Sequence, residues 1–262
     1  MKKINFVQIN IYRGMYLTNL LKFLKDKNSD IITMQEVTSG KLNFYKDQSL
    51  DLFLLLKRGL GINGKCHRDL KLSKLPNSKL GNAVFSMFEV LDSRVITLKK
   101  FRPVTSDELD GNGAFKIRPL LPRHILDVSL NVEGNTLHVL SAHGAWTAPP
   151  CDTQENLRQA KLIKAHLELL NKDNQPFILG GDLNMPPDTK VIEMIGSVSN
   201  NLMLGSPFGY TTHPKIHKIA PRKFLVDYVF TSKHFKLLSL DVPEVTVSDH
   251  LPVVAKLELM EN

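Results

Sequence analysis

The segment Phe177-Ile178-Leu179-Gly180-Gly181-Asp182-Leu183-Asn184 sets a carboxylate and an amide two positions apart at the end of an apolar run. In a strand, residues two apart share one side of the sheet. Asp182 and Asn184 together could hold a metal ion, a water molecule or a phosphate oxygen. The paired glycines allow a sharp turn and a close approach of another group to the backbone. Similar polar residues sit at the ends of other apolar runs. Asn10 closes the first run, Gln35-Glu36 follows Ile31 to Met34, and His143 follows Val139-Leu140-Ser141-Ala142. Asp227 interrupts Leu225 to Phe230, and Asp249-His250 precedes Leu251. Singly, each has an ordinary explanation: Glu36 as a helix N-terminal acid, His143 as a satisfied core histidine, Asp227 as a local cap, Asp249-His250 as the opening of a strand. Together they have the make-up of an active site, which in open α/β sheets lies at strand ends.

The elements that must position these residues follow from periodicity. Residues 4–11 predict a strand, 18–27 a helix with Leu20, Leu21 and Leu24 on one face, and 30–34 a second buried strand. That β-α-β order implies parallel strands. Residues 42–56 predict a helix, and 57–79, with seven Lys/Arg against the single acid Asp69, a loop-rich excursion. Residues 83–90 and 94–98 read as a strand pair, and 102–121, with Gly111-Asn112-Gly113 and prolines, as a long loop. Residues 124–132 and 136–142 pair around Glu133-Gly134-Asn135. An amphipathic helix spans 153–170, and 177–179, 224–231, 235–241 and 251–259 are further strands. No repeat or polar linker divides the chain, which predicts one domain over residues 1–262.

An apolar content of 42% allows a sizeable core. Lys and Arg number 34 against 26 Asp and Glu, a net charge of +8. That excess favours a polyanionic partner, with nucleic acid foremost and an anionic membrane surface as the alternative; a lysine-rich proteome is the bland explanation. Basic stretches at 57–79, 99–123 and 215–223 form either a rim for a phosphate backbone or solvated faces. The last carries Lys215, His217, Lys218, Arg222 and Lys223 just before Asp227. Cys66 and Cys151 make neither a disulfide framework nor a metal spacing. With no apolar leader core and no span-length apolar run, the expectation is a cytoplasmic protein with free thiols.

The set Ile9-Asn10, Gln35-Glu36-Val37, Gly181-Asp182-Leu183-Asn184, Asp227-Tyr228 and Ser248-Asp249-His250 resembles the endonuclease/exonuclease/phosphatase superfamily, with its deoxyribonuclease I-like fold, in order and spacing over residues 4–256. The resemblance implies a four-layer α/β sandwich, with two packed mixed β-sheets flanked by helices. It also implies hydrolysis of phosphoesters with Mg²⁺ as cofactor and Mn²⁺ able to replace it. Residue by residue, it implies Glu36 as the main metal ligand with Asn10 and Asp249 close by. Asp182 would orient or deprotonate the attacking water, and Asn184 would hold the phosphate or Asp182. His250 would donate to a phosphate oxygen, oriented by Asp227, and His143 would act as a second donor or acid. The chemistry is coherent, because a cation and an imidazolium neutralise an anionic phosphodiester that otherwise repels hydroxide. Asn82, in Gly81-Asn82-Ala83-Val84-Phe85-Ser86, either hydrogen-bonds His143 or is a turn residue. Arg123 faces phosphate or solvent. Trp146 stacks on a base or covers the pocket, or else packs beneath Pro149-Pro150.

Departures leave the subfamily unassigned. Tyr12 stands where abasic-site endonucleases carry an acid, and His143 and Trp146 stand where they carry tyrosine and asparagine. Ala142-His143-Gly144 differs from the Thr-His-Leu of deadenylases and tyrosyl-DNA phosphodiesterases. The expected function is a nuclease or a DNA/RNA-end-processing phosphodiesterase. The alternatives are a small-molecule or lipid-head-group phosphoesterase, and a non-catalytic nucleic-acid-binding member of the same fold.

Overall fold

Along β1 (Lys2–Asn10), Ile4 and Phe6 pack into one core cluster while Val7 and Ile9 pack into another, so the alternation of the sequence sends successive side chains to opposite faces of a sheet. The computed structural model describes residues 1–45, 47–218 and 223–260. From β1 the chain runs through α1 (Leu17–Asp26) into β2 (Ile31–Ser39), which lies parallel to β1 as the β-α-β reading requires. Next come α2 (Leu52–Leu60), β3 (Asn63–Leu72) and β4 (Leu75–Ser86), which complete one side of the first sheet. The chain then crosses to β5 (Glu89–Lys99). Two short helices, α3 (Ser106–Asp110) and α4 (Ala114–Ile117), precede β6 (Arg123–Val132) and β7 (Asn135–His143). After α5 (Gln154–Lys172) follow β8 (Phe177–Asp182), α6 (Lys190–Gly196), β9 (Asn200–Asn201) and β10 (Asp227–Thr231). The strands β11 (Phe235–Asp241) and β12 (Val253–Leu259) return to the first sheet.

Among the described residues the strands form two six-stranded mixed sheets, β11-β12-β1-β2-β4-β3 and β5-β6-β7-β8-β10-β9. Each holds one parallel pair, β1 with β2 and β7 with β8. The largest apolar cluster joins the sheets to each other and to α5 and α6, drawing on Phe6, Val84, Ile125, Leu140, Leu179 and Leu257. A second cluster seats Leu20 and Leu24 of α1 and Leu52 and Leu56 of α2 on the outer face of the first sheet. The result is the expected four-layer α/β sandwich. Among the described residues, no helix is long and apolar enough to cross a membrane.

Four local expectations are corrected. Residues 57–79 are not a loop: α2 ends at Gly61, whose φ of 69° forms a left-handed cap, and β3 and β4 follow as a hairpin turning at Ser73-Lys74. The polar composition reflects an edge strand with a solvated face. Residues 83–90 and 94–98 do not pair with each other, because the chain leaves one sheet at Ser86 and enters the other at Glu89. Two apolar runs around a tight turn look alike whether they form a hairpin or change sheet. The helix expected over 42–56 starts at Leu52, capped by the Asp51 carboxylate, which accepts from Leu54 N. The segment 102–121 gains short helical turns through a Thr105/Glu108 capping box. Leu109 and Leu121 pack it onto Leu70, Leu72 and Leu80 of the β3–β4 hairpin.

Candidate active site

Where β1 and β8 face each other, Asn10 Nδ2 donates to Asp182 Oδ2 over 3.0 Å and ties the two sheets together. Asp182 Oδ1 accepts from Asn184 N at 3.0 Å, and Asn184 adopts a left-handed φ of 55° that turns its Nδ2 onto Gly144 O. The glycines before Asp182 make no turn, since both lie within β8, but Gly180 permits the expected close approach. A Cβ on Gly180 would lie 2.1 Å from Thr33 Oγ1 and 3.0 Å from Gln8 Oε1, so only glycine lets the opposing sheet come this close. The space is taken by a buried polar seam. Thr33 Oγ1 donates to Gln8 Oε1 (2.7 Å), Gln8 and Gln35 exchange amide hydrogen bonds, and Gln35 Nε2 also donates to Ser141 Oγ (3.1 Å). Gln8 Nε2 reaches Asp227 Oδ1 at 3.4 Å, which braces that carboxylate from behind.

Asp227 Oδ2 accepts from His250 Nδ1 at 2.7 Å in a pair shut away from solvent. Burial opposes the charge on His250, but Asp227 and Asp182 outweigh it and hold the imidazole protonated well above its usual pKa. Its Nε2 lies 3.8 Å from Asp182 Oδ2. His143 Nε2 approaches the same oxygen at 3.5 Å. Burial, with the neighbouring charges of Arg123 and His250, keeps His143 neutral, well below its usual pKa. Burial and the charge of Asp227 push Asp182 up to about 6, against the pull of His250 and the Asn10 hydrogen bond.

Glu36 reaches the cleft through a bulge. Met34 pairs with Ala83 and Val37 with Gly81, so Gln35 and Glu36 together face the single residue Asn82. Glu36 takes a φ of 60°, a conformation that costs a non-glycine residue about 1–3 kcal/mol. Its carboxylate lies 3.7 Å from Arg13 Nε, and Arg13 also pairs with Asp110 of α3 at 2.8 Å. The Asp249 carboxyl is pushed up to about 7 by burial and by the charges of Glu36, Asp182 and Asp227. Crowded hard oxygen donors of this kind suit a divalent cation such as Mg²⁺, which would relieve their mutual repulsion. Glu36, Asp249 and Asn10 all line the cleft, and among the described residues Asp182, Asp227 and His250, and His217, Asp249 and His250, each bring three possible ligand atoms within 4.8 Å of one another.

The cleft thus gathers Asn10, Glu36, His143, Asp182, Asn184, Asp249 and His250 along its walls, with Asp227 directly behind. Arg123 also lines it and is 6% exposed, so it faces the site and not solvent, and its Nε has no hydrogen-bond partner among the described residues. Trp146 lines the mouth, packed edge to face on Phe115 with ring centroids 5.5 Å apart, and Arg118 lies over its ring at 5.6 Å. Asn82 does not hydrogen-bond His143. Its Nδ2 donates to the carbonyls of His124 and Ser141 and clips the first sheet to β6 and β7. Lys218 is exposed and outside the cleft wall, and Arg222 lies outside the described residues. Sequence reasoning missed Arg13, the Gln8–Thr33–Ser141 seam and the placement of His217, whose ring meets His250 at 5.4 Å. Gln8 does interrupt an apolar strand at the same parity as Asn10, which was a readable signal.

A family model described as the Endonuclease/Exonuclease/phosphatase family matches residues 7–250. No curated protein sequence matches the chain. Similar solved structures include an endonuclease/exonuclease/phosphatase from Bacteroides vulgatus, with a TM-score of 0.73 at 19% identity, covering 99% of this chain and 100% of that one. A mannosyl-6-phosphatase of Bacteroides thetaiotaomicron aligns with a TM-score of 0.71 at 15% identity over 98% of this chain and 100% of that one. The human Nocturnin catalytic domain with bound sulfate aligns at 0.69 and 20% identity over 98% and 95%. At such identities the structural likeness speaks for the fold, while the family match spans nearly all of the sequence. The chain belongs to the endonuclease/exonuclease/phosphatase family.

Proposed function

We propose that the protein is a divalent-metal-dependent phosphodiester hydrolase acting on nucleic acid. The observation that carries the hydrolytic reading is the convergence of Asp182, its Asn10 and Asn184 partners and the His250–Asp227 pair on one cleft beside Glu36. Glu36, Asp249 and Asn10 would hold Mg²⁺ or Mn²⁺, which when bound supplies positive charge against the phosphate. Asp182, fixed through both oxygens by Asn10 and Asn184, is the acceptor for the proton of the attacking water. Asp227 holds Nδ1–H of His250, so that Nε2–H is left to donate to a non-bridging phosphate oxygen as charge builds there. His143, neutral, serves as a hydrogen-bond donor and not as an acid. Arg123 contributes a fixed positive charge to the cleft wall.

Nucleic acid is favoured by the mouth of the cleft. Trp146, Phe115 (60% exposed) and Arg118 form an aromatic and guanidinium surface of the kind on which bases stack. The net charge of +8 adds attraction for a phosphate backbone. A small phosphoester is the second reading, favoured by the apolar lining that Leu80, Leu109 and Leu121 give part of the cleft. The test is a panel of single strands, nicked and abasic duplexes, 5′-tyrosyl ends, poly(A) and p-nitrophenyl esters with Mg²⁺ or Mn²⁺. Nucleic-acid cleavage that EDTA abolishes and that falls steeply with salt supports the first reading. Salt-insensitive turnover of small esters alone supports the second. Cleavage that survives both Asp182→Ala and His250→Ala, with the fold intact, rejects the site assignment.

A further inference from the structure

We propose that His67, Asp69 and His124 form a transition-metal site, separate from the catalytic cleft, with Zn²⁺ as its best-matched ion. His67 and Asp69 stand on β3, the edge strand of the first sheet, and His124 stands on β6 of the second sheet. The ligand atoms of the three lie within 4.8 Å of one another, although His67 and His124 are 57 positions apart in the chain. The two imidazole rings meet edge to face with centroids 4.7 Å apart.

The donor types select the ion. Two imidazoles and one carboxylate are a borderline-soft set that suits Zn²⁺ and leaves a fourth position for water. Mg²⁺, which prefers oxygen ligands, has no comparable reason to bind here.

His124 is 2% exposed, and its Nδ1 lies 2.8 Å from Asp69 Oδ2. An ion taking the place of the proton between these two atoms would have both as ligands, with His67 beside them as the third. The other charges that reach these residues, Lys71 at His67 and Arg123 at Asp69, are cations. They oppose the ion, so the binding energy must come from the ligand bonds. A bound ion would fasten the β3–β4 hairpin to the second sheet, one residue from the cleft-lining Arg123.

The test is zinc binding by chelator-stripped protein, read as metal content after desalting and as the visible spectrum of the Co²⁺ adduct. One equivalent of Zn²⁺ is expected in the wild type, with a raised melting temperature and a tetrahedral Co²⁺ spectrum. Both signals should persist in His250→Gln, which removes a ligand from the rival cluster of His217, Asp249 and His250. Both should be lost in His67→Asn and in Asp69→Asn, whose half-buried positions tolerate these changes; circular dichroism in EDTA confirms folding. A wild type that retains no zinc overturns the proposal. So does zinc that stays in the two β3 variants and leaves in His250→Gln, which would place it in the catalytic cleft. If either β3 variant fails to fold, protection of His67 and His124 from diethyl pyrocarbonate by Zn²⁺ in the wild type decides the matter, with no protection counting against the site.

Discussion

Gly180→Ala should cost much more stability than its single added carbon suggests. The new Cβ would lie 2.1 Å from Thr33 Oγ1, and 3.0 Å from both Gln8 Oε1 and Phe6 Cζ. Thr33 must swing away, and its hydrogen bond to Gln8 is lost with both groups still buried. Overpacking a close-packed interior costs about 1–3 kcal/mol, and the broken buried hydrogen bond costs about 1 kcal/mol or more. The smaller entropy of the unfolded alanine chain returns about 0.4–1 kcal/mol. The net loss is about 1–4 kcal/mol. For 262 residues the entropy of unfolding is about 0.55 kcal/mol per kelvin, so the melting temperature should fall by about 2–7 °C. Gly113→Ala is the internal control, because a Cβ there meets nothing within 4 Å. It should melt at or slightly above the wild-type temperature. Differential scanning calorimetry of the three proteins decides. If Gly180→Ala melts within 1 °C of wild type, the two sheets are not in contact at this glycine and the reasoning fails.

Asp227→Asn should lower kcat by roughly 10- to 150-fold while the protein stays folded, since it removes the charge that holds His250 through a charge-assisted hydrogen bond worth about 1.5–3 kcal/mol; single-turnover kinetics with saturating Mg²⁺ would refute this if the loss were under threefold. Glu36→Gln should shift the Mg²⁺ concentration needed for half-maximal rate upward by at least tenfold, and an unchanged metal titration would remove Glu36 from the metal site. Away from the cleft, Asp127 accepts from His138, His166 and Arg94 at 2.8–2.9 Å. Although burial pushes its carboxyl up, those hydrogen bonds hold it below the usual carboxylate range. Its folded pKa is depressed, so its contribution is complete above the unfolded value near 4 and is lost as pH falls below it. Asp127→Asn should therefore cost about 3–5 kcal/mol at neutral pH, with the gap to wild type narrowing below about pH 4; a gap that stays constant in acid melts would contradict the network.

The chemistry of the cleft could be read from the chain because its residues break short apolar strands at their ends. Asn10, Asp182 and Asp227 are polar where a core has no use for them, and burial confirms that they are nonetheless inside. Gly180-Gly181 signalled a close approach without revealing to what. The partner proved to be Thr33 and Gln8, on another sheet, and strand periodicity carries no information about the opposing layer. For the same reason Asn82, which the family resemblance offered as a partner of His143 with a turn residue as the alternative, instead braces backbone carbonyls of β6 and β7. The bulge that aims Glu36 is a change of register between two strands, visible only once β2 and β4 are paired. The β3–β4 hairpin was hidden because a solvated edge strand has the composition of a loop.

The junction of Asn10 with Asp182 has a consequence for synthesis. Asn10 emerges early, Asp182 much later, and His250 only just ahead of β12, the strand that slots between β11 and β1. A nascent chain released or stalled before residue 250 holds the strands β5 to β10 of its second sheet but lacks His250 and so the full set of cleft residues. For the nuclease proposed above, this order of synthesis would keep the ribosome and message that produce it out of danger until translation of β12 has begun.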